Sequence, residues 1–158
     1  MVNSIAKKLL SLGGELVGPA SESEITQVER RLAATLPVEL KSFLRQHNGS
    51  VKETDEVRWR FWPCAEITSH AHYRGEPFFN LDDIEVDLIR KVGPLPGDRL
   101  ILFADSLIDL PTCCVLLLSG HPCDGWVFDC SNGYVSARSF AEWVVAFADR
   151  GEEGLLIP

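Results

Sequence analysis

Apolar residues recur at helical spacing through the first third of the chain and at strand spacing through most of the rest. Ile5, Leu9 and Leu12 fall on one helical face of the segment Val2 to Leu12, with Lys7 and Lys8 off it and Gly13-Gly14 as a stop. A second helix starts at Ser21, whose partner Glu24 three residues on completes a capping box. Its buried face is predicted to run through Ile25, Val28, Leu32 and Leu36, and Pro37 ends it and opens the next helix. That third helix carries Leu40, Phe43 and Leu44 and closes at Asn48-Gly49.

The period then changes. Val57, Trp59 and Phe61 alternate with Arg58, Arg60 and Trp62, which predicts a strand. Residues Asp82 to Lys91 are expected to form a short helix, and Gly93 to Gly97 a loop. Arg99 to Phe103 reads as a strand, and the unbroken apolar run Cys113 to Leu118 as a buried central one. Trp126 to Cys130 and Tyr134-Val135 flank Ser131-Asn132-Gly133 as a hairpin. A last helix starts at Ser139, with Glu142 in a second capping box, and buries Phe140, Trp143, Val144 and Phe147 before Gly151. Helices, then strands, then a helix predict an α+β fold: a largely antiparallel sheet packed with N-terminal helices and a C-terminal helix. No repeat or linker interrupts the 158 residues, so a single domain over residues 1–158 is expected.

Charge narrows the function. The net charge is −8, and it is uneven: the residues through Asn48 carry a net +1 and the remainder carries −9. A field of that sign repels nucleic acid and anionic lipid and draws in cationic partners. Five cysteines at irregular spacing do not form a disulfide framework, and no apolar run is long enough for a membrane helix. A soluble, cytoplasmic protein is expected, with no nucleic-acid or membrane partner.

The stretch from Pro19 to Gly49 carries a recognisable pattern. It reads P-A-S-E-S-E-I, V-E-R-R-L, L-P-V-E-L-K-S-F-L and H-N-G. It resembles the opening of the SUKH superfamily, the cell-wall-synthesis-regulator-like domain of yeasts and bacteria, at Glu24, Ile25, Glu29, Leu36, Pro37, Phe43, Leu44, Asn48 and Gly49. Trp59 to Ile67, Arg99 to Asp105, the turn around Asn132-Gly133 and Ser139 to Trp143 look like later elements of the same family. Ser106 to Pro111 departs from its glycine-rich turn. The resemblance implies a SUKH-like fold and a role without a reaction: bacterial members look like immunity proteins that neutralise toxins, and fungal members like regulatory scaffolds. It carries no catalytic residues and no cofactor.

The expected partner is therefore a protein, above all a basic toxin domain. Its candidate contacts are the acidic segments Glu53, Asp55, Glu56 and Asp82, Asp83, Glu85, Asp87, where crowded carboxylates repel one another unless a partner's cations offset them. An ordinary solvated face accounts for the same charges. Trp62, opposite Trp59 on its strand, is the candidate aromatic anchor, unless a helix covers it. Trp59, Trp126 and Trp143 are expected in the core. A scaffold for an endogenous partner is the alternative. A third reading is a metal or hydrolytic site from His70, His72, Cys64, Cys130 and the loop His121-Pro122-Cys123-Asp124, although the spacing fits no standard zinc pattern.

Overall fold

The computed structural model describes residues 2–51, 59–73, 93, 95–106, 110–129 and 134–150. Among them the chain runs α1 (Val2–Ser11), α2 (Glu22–Leu32), α3 (Val38–Gln46), β1 (Trp59–Phe61), β2 (Thr68–Ser69), a 3-10 turn (His70–His72), β3 (Leu100–Ser106), β4 (Leu110–Leu116), β5 (Val127–Asp129), β6 (Val135–Ala137) and α4 (Phe140–Arg150). The sheet order is β1-β3-β4-β5-β6, β2 also pairs β3, and every pairing is antiparallel. The predicted α+β architecture is the observed one. The predicted helix at Asp82 to Lys91 and the turn at Ser131 to Gly133 lie outside the described residues.

The helix starts follow their caps. Ser21 Oγ accepts from the Glu24 N–H at 3.2 Å, and Glu24 Oε2 accepts from the Ser21 N–H at 2.8 Å. At α4, Ser139 Oγ accepts from the Glu142 N–H at 3.1 Å, while the Glu142 carboxylate reaches back to the Arg138 N–H at 3.0 Å. Each satisfies backbone donors that a first helical turn leaves open.

The end of α2 differs from the expectation. The helix stops at Leu32, and Ala33 adopts the left-handed conformation (φ 48°). Leu36 is buried all the same, from the connecting turn rather than from a fourth helical turn. Glu29 explains this: its Oε1 accepts from the Leu36 N–H at 2.9 Å and pairs with Lys41 Nζ at 3.0 Å, folding the turn back against α3. Pro37 then serves as the residue before α3. On α1, Ile5 and Leu9 are buried as predicted, but Leu12 lies beyond the helix and is exposed.

The core centres on rings from four elements. Phe61 of β1 lies 5.1 Å from Phe43 of α3, 5.7 Å from Trp143 and 5.5 Å from Phe147 of α4. Phe103 of β3 meets Phe140 and Trp143, each at 5.0 Å and edge to face. Such tilted and edge-on pairs place ring edges on ring faces and add to the free energy of burial. Trp59 and Trp143 are core residues as predicted; Trp126 is only partly buried, under the Arg138 guanidinium at 5.6 Å.

The helical third is tied to the sheet at Asn48 to Ser50. Asn48 Oδ1 accepts from the Cys64 N–H at 2.8 Å. The Ser50 N–H donates to Phe61 O, and the Phe61 N–H donates to Ser50 Oγ, both at 3.0 Å. Between them Gly49 sits at φ +83°, and a Cβ there would stand 2.7 Å from Phe61 O and from Pro63 N. Gly120 has the same φ with open space around it. Gly49→Ala is therefore expected to destabilise the fold by roughly 2–4 kcal/mol, combining left-handed strain with a backbone clash. Gly120→Ala is expected to cost only about 1 kcal/mol from the strain alone. Urea denaturation of the two variants checks the difference.

Candidate functional site

The residues with chemical potential fall into three described regions and two acidic segments. Glu53, Asp55 and Glu56, and likewise Asp82, Asp83, Glu85 and Asp87, lie outside the described residues, as does Cys130. The first acidic segment follows Val51, which is exposed, and precedes β1.

Trp62 is described, and of the two readings left open it takes the covered one, with a turn in place of a helix. The residue is only 5% exposed. The Trp62 N–H donates to Phe103 O at 2.9 Å, which prolongs the β1–β3 pairing by one residue. Its ring stacks on Tyr73, at 5.9 Å and 25°, just after the 3-10 turn. Its Nε1–H donates to Asp105 Oδ2 at 2.6 Å. A turn therefore covers the face that strand alternation points outward. Trp62 is an internal pin and not a projecting anchor.

Asp105 itself is buried at the end of β3, directly across from Arg60 in the β1–β3 register. Arg60 Nη1 lies 3.4 Å from Asp105 Oδ2, and its Nη2 binds the half-exposed Glu66. A carboxylate this deep is stable only with charged and hydrogen-bonded partners, which Arg60 and Trp62 supply. Glu66 brings the end of this chain of contacts to the surface.

The loop His121 to Asp124 is closed on itself. His121 Nδ1 accepts from the Cys123 N–H at 3.1 Å, and Asp124 Oδ1 accepts from the Leu118 N–H at 2.9 Å. Cys123 is fully buried, and burial raises its thiol pKa. In this arrangement His121 Nδ1 serves backbone geometry instead of activating the thiol, which nucleophilic catalysis would require. His72 Nδ1 hydrogen-bonds Ser69 Oγ at 2.7 Å. Among the described residues no group of three or more His, Cys, Asp or Glu is placed to hold a metal ion. Cys113 and Cys114 are buried on β4.

The third region is a pair of cavities on either side of Arg99. One, of about 370 Å³, lies between the end of α2, β2 and the 3-10 turn; the other, of about 560 Å³, lies toward the loop after β4. Ala33 and Arg99 line both. Arg31 Nη2 donates to Cys64 O at 2.8 Å and Ile67 O at 2.6 Å, and Arg99 Nη1 donates to Ala33 O at 2.9 Å. The left-handed turn at Ala33 brings that carbonyl to Arg99. In the sequence Arg99 stands only at the start of a predicted strand, and the groove is not visible there, because the early end of α2 has no signature in the hydrophobic period. Asp105 had a readable signal: one carboxylate closing an apolar run, with Arg60 on the neighbouring strand.

The profile of the SMI1 / KNR4 family (SUKH-1) matches residues 19–146, from the approach to α2 to the middle of α4. No curated protein matches the sequence. Among the described residues no helix is long and apolar enough to cross a membrane.

Two predictions follow from this geometry. Trp62→Phe keeps the ring but removes the Nε1–H donor to Asp105, and is expected to lower stability by about 1–3 kcal/mol in chemical denaturation. The thiols give the second. Burial, then the Glu24 charge, pushes Cys64 up to about 11; Cys113 is also raised well above the ordinary thiol value, by burial first and then by Asp129. A raised thiol pKa holds the folded protein neutral while the unfolded chain ionises. The Cys64 contribution to stability is therefore intact below about pH 9 and is lost as pH climbs toward about 11. Peptide mapping after brief alkylation at neutral pH should find Cys64, Cys113 and Cys123 unmodified in native protein and modified in denaturant.

Proposed function

We propose, from the premise that this chain belongs to the SMI1 / KNR4 family (SUKH-1), that it is an immunity protein that binds and neutralises a basic toxin domain. The family supports protein binding in general and is generally non-enzymatic. The observation that carries the reading is the match over residues 19–146, most of the chain. The acid excess after Asn48 supports a cationic partner, since complementary charge steers encounter and raises association rates. In this reading Glu53, Asp55, Glu56, Asp82, Asp83, Glu85 and Asp87 face the toxin's basic surface, the protein acts in the cytoplasm as one domain, and no cofactor takes part.

A regulatory scaffold for an endogenous protein is the second reading, favoured by the same family match. The two part on one point: only the immunity reading requires a partner whose expression alone is lethal.

Charge reversal tests the proposed surface. Asp82→Lys, Asp83→Lys and Asp87→Lys together are expected to weaken toxin binding by about 100-fold or more and to flatten its dependence on salt. Calorimetric titration at two ionic strengths reads both quantities. Unchanged affinity removes these residues from the interface, and retained affinity with intact salt dependence moves the electrostatic contact elsewhere.

A further inference from the structure

The groove at the end of α2 places two fixed guanidinium groups around a small, partly apolar cavity. Arg31 is held by the carbonyls of Cys64 and Ile67, and Arg99 by the carbonyl of Ala33. These bonds use Nη2 of Arg31 and Nη1 of Arg99. Arg31 Nη1 and Arg99 Nη2 donate no hydrogen bond to the described residues, and His72 Nε2 makes none with them. Leu32, Ala33 and Thr68 give the same cavity its apolar portion. Among the described residues Asp98 is the one carboxylate on its lining, exposed and 3.6 Å from Arg99 Nε, so it neutralises the pair only in part. The carbonyls at the end of α2 do not oppose an anion strongly either, because the Ala33 and Ala34 N–H groups and Arg99 already engage them.

We propose that this cavity is a recognition site for a carboxylate attached to a short apolar group. The two fixed guanidiniums and His72 take the carboxylate, and the Leu32, Ala33 and Thr68 surface takes the apolar part. Arginine suits the task because its planar fork binds carboxylate through paired N–H donors. Donors already immobilised by the fold lose little freedom when the ligand arrives. The cavity of about 370 Å³ accommodates a group the size of one amino-acid residue. The ligand is either the C-terminal residue of a polypeptide or a free small dicarboxylic acid; the chemistry at the guanidiniums is the same. The site has the opposite charge to the acidic surface above and does not depend on a toxin partner.

Backbone amide chemical shifts of the full chain, followed during titration, test the site. The probes are N-acetyl-leucine, its uncharged amide, glutarate and sodium sulfate. Saturable shifts at Ala33, Thr68, Ser69 and Arg99 are expected with N-acetyl-leucine and not with the amide. A response to N-acetyl-leucine alone identifies a chain terminus, and a stronger response to glutarate identifies a free diacid. Arg99→Gln should weaken binding by about tenfold or more. Should that variant lose its fold in a thermal melt, His72→Ala, at an exposed position, should still weaken binding several-fold. No saturable shift with either acid, or equal shifts with sulfate and with the amide, overturns the proposal.

Discussion

The fold depends on one backbone approach. At Asn48 to Ser50 the chain leaves the helices and passes against β1 so closely that only glycine fits at the centre. Gly49 admits Phe61 O and Pro63 N where a side chain would stand. On either side, Asn48 Oδ1 holds the Cys64 N–H, and Ser50 makes two bonds to Phe61. The same short segment accepts the N-terminal chain: the Val17 N–H donates to Gly49 O and the Asn48 N–H to Gly18 O. Phe61, fixed from this side, presents its ring to Phe43, Trp143 and Phe147. Loss of the approach would release the helices from the sheet and remove the centre of the aromatic core together.

This dependence bears on what was legible in the sequence. The capping residues Ser21 and Glu24 announced α2, because a cap is a local device and its spacing is fixed by the first helical turn. The apolar run at Cys113 announced a buried strand for a similarly local reason. The end of α2 was hidden, since Glu29 folds the following turn through contacts to Leu36 and Lys41 that no period encodes. What covers Trp62 was hidden for the same kind of reason. Strand alternation assigns it to the outer face correctly, but says nothing of Tyr73 and Asp105, which come from distant sequence to enclose it. The groove around Arg99 depends on three segments meeting, so no single stretch of sequence displays it.

The described chemistry is largely turned inward. His121 and Asp124 bind their own backbone, the buried thiols are held protonated, and Asp105 is matched by Arg60 and Trp62. Among the described residues, the groove beside Ala33 presents Arg31 and Arg99 toward solvent. If the proposed acidic contact holds, its sign opposite to that of the groove would favour one orientation of a partner, because complementary charge confers specificity as well as rate.

The most direct test is affinity capture with the intact chain as bait, from its native host at moderate salt, followed by mass spectrometry and separate expression of what is recovered. The account predicts a stoichiometric, basic protein domain that halts growth when expressed alone and is silenced by co-expression of this chain. Recovery of a stoichiometric partner that is harmless on its own, whose activity this chain leaves unchanged, would contradict it.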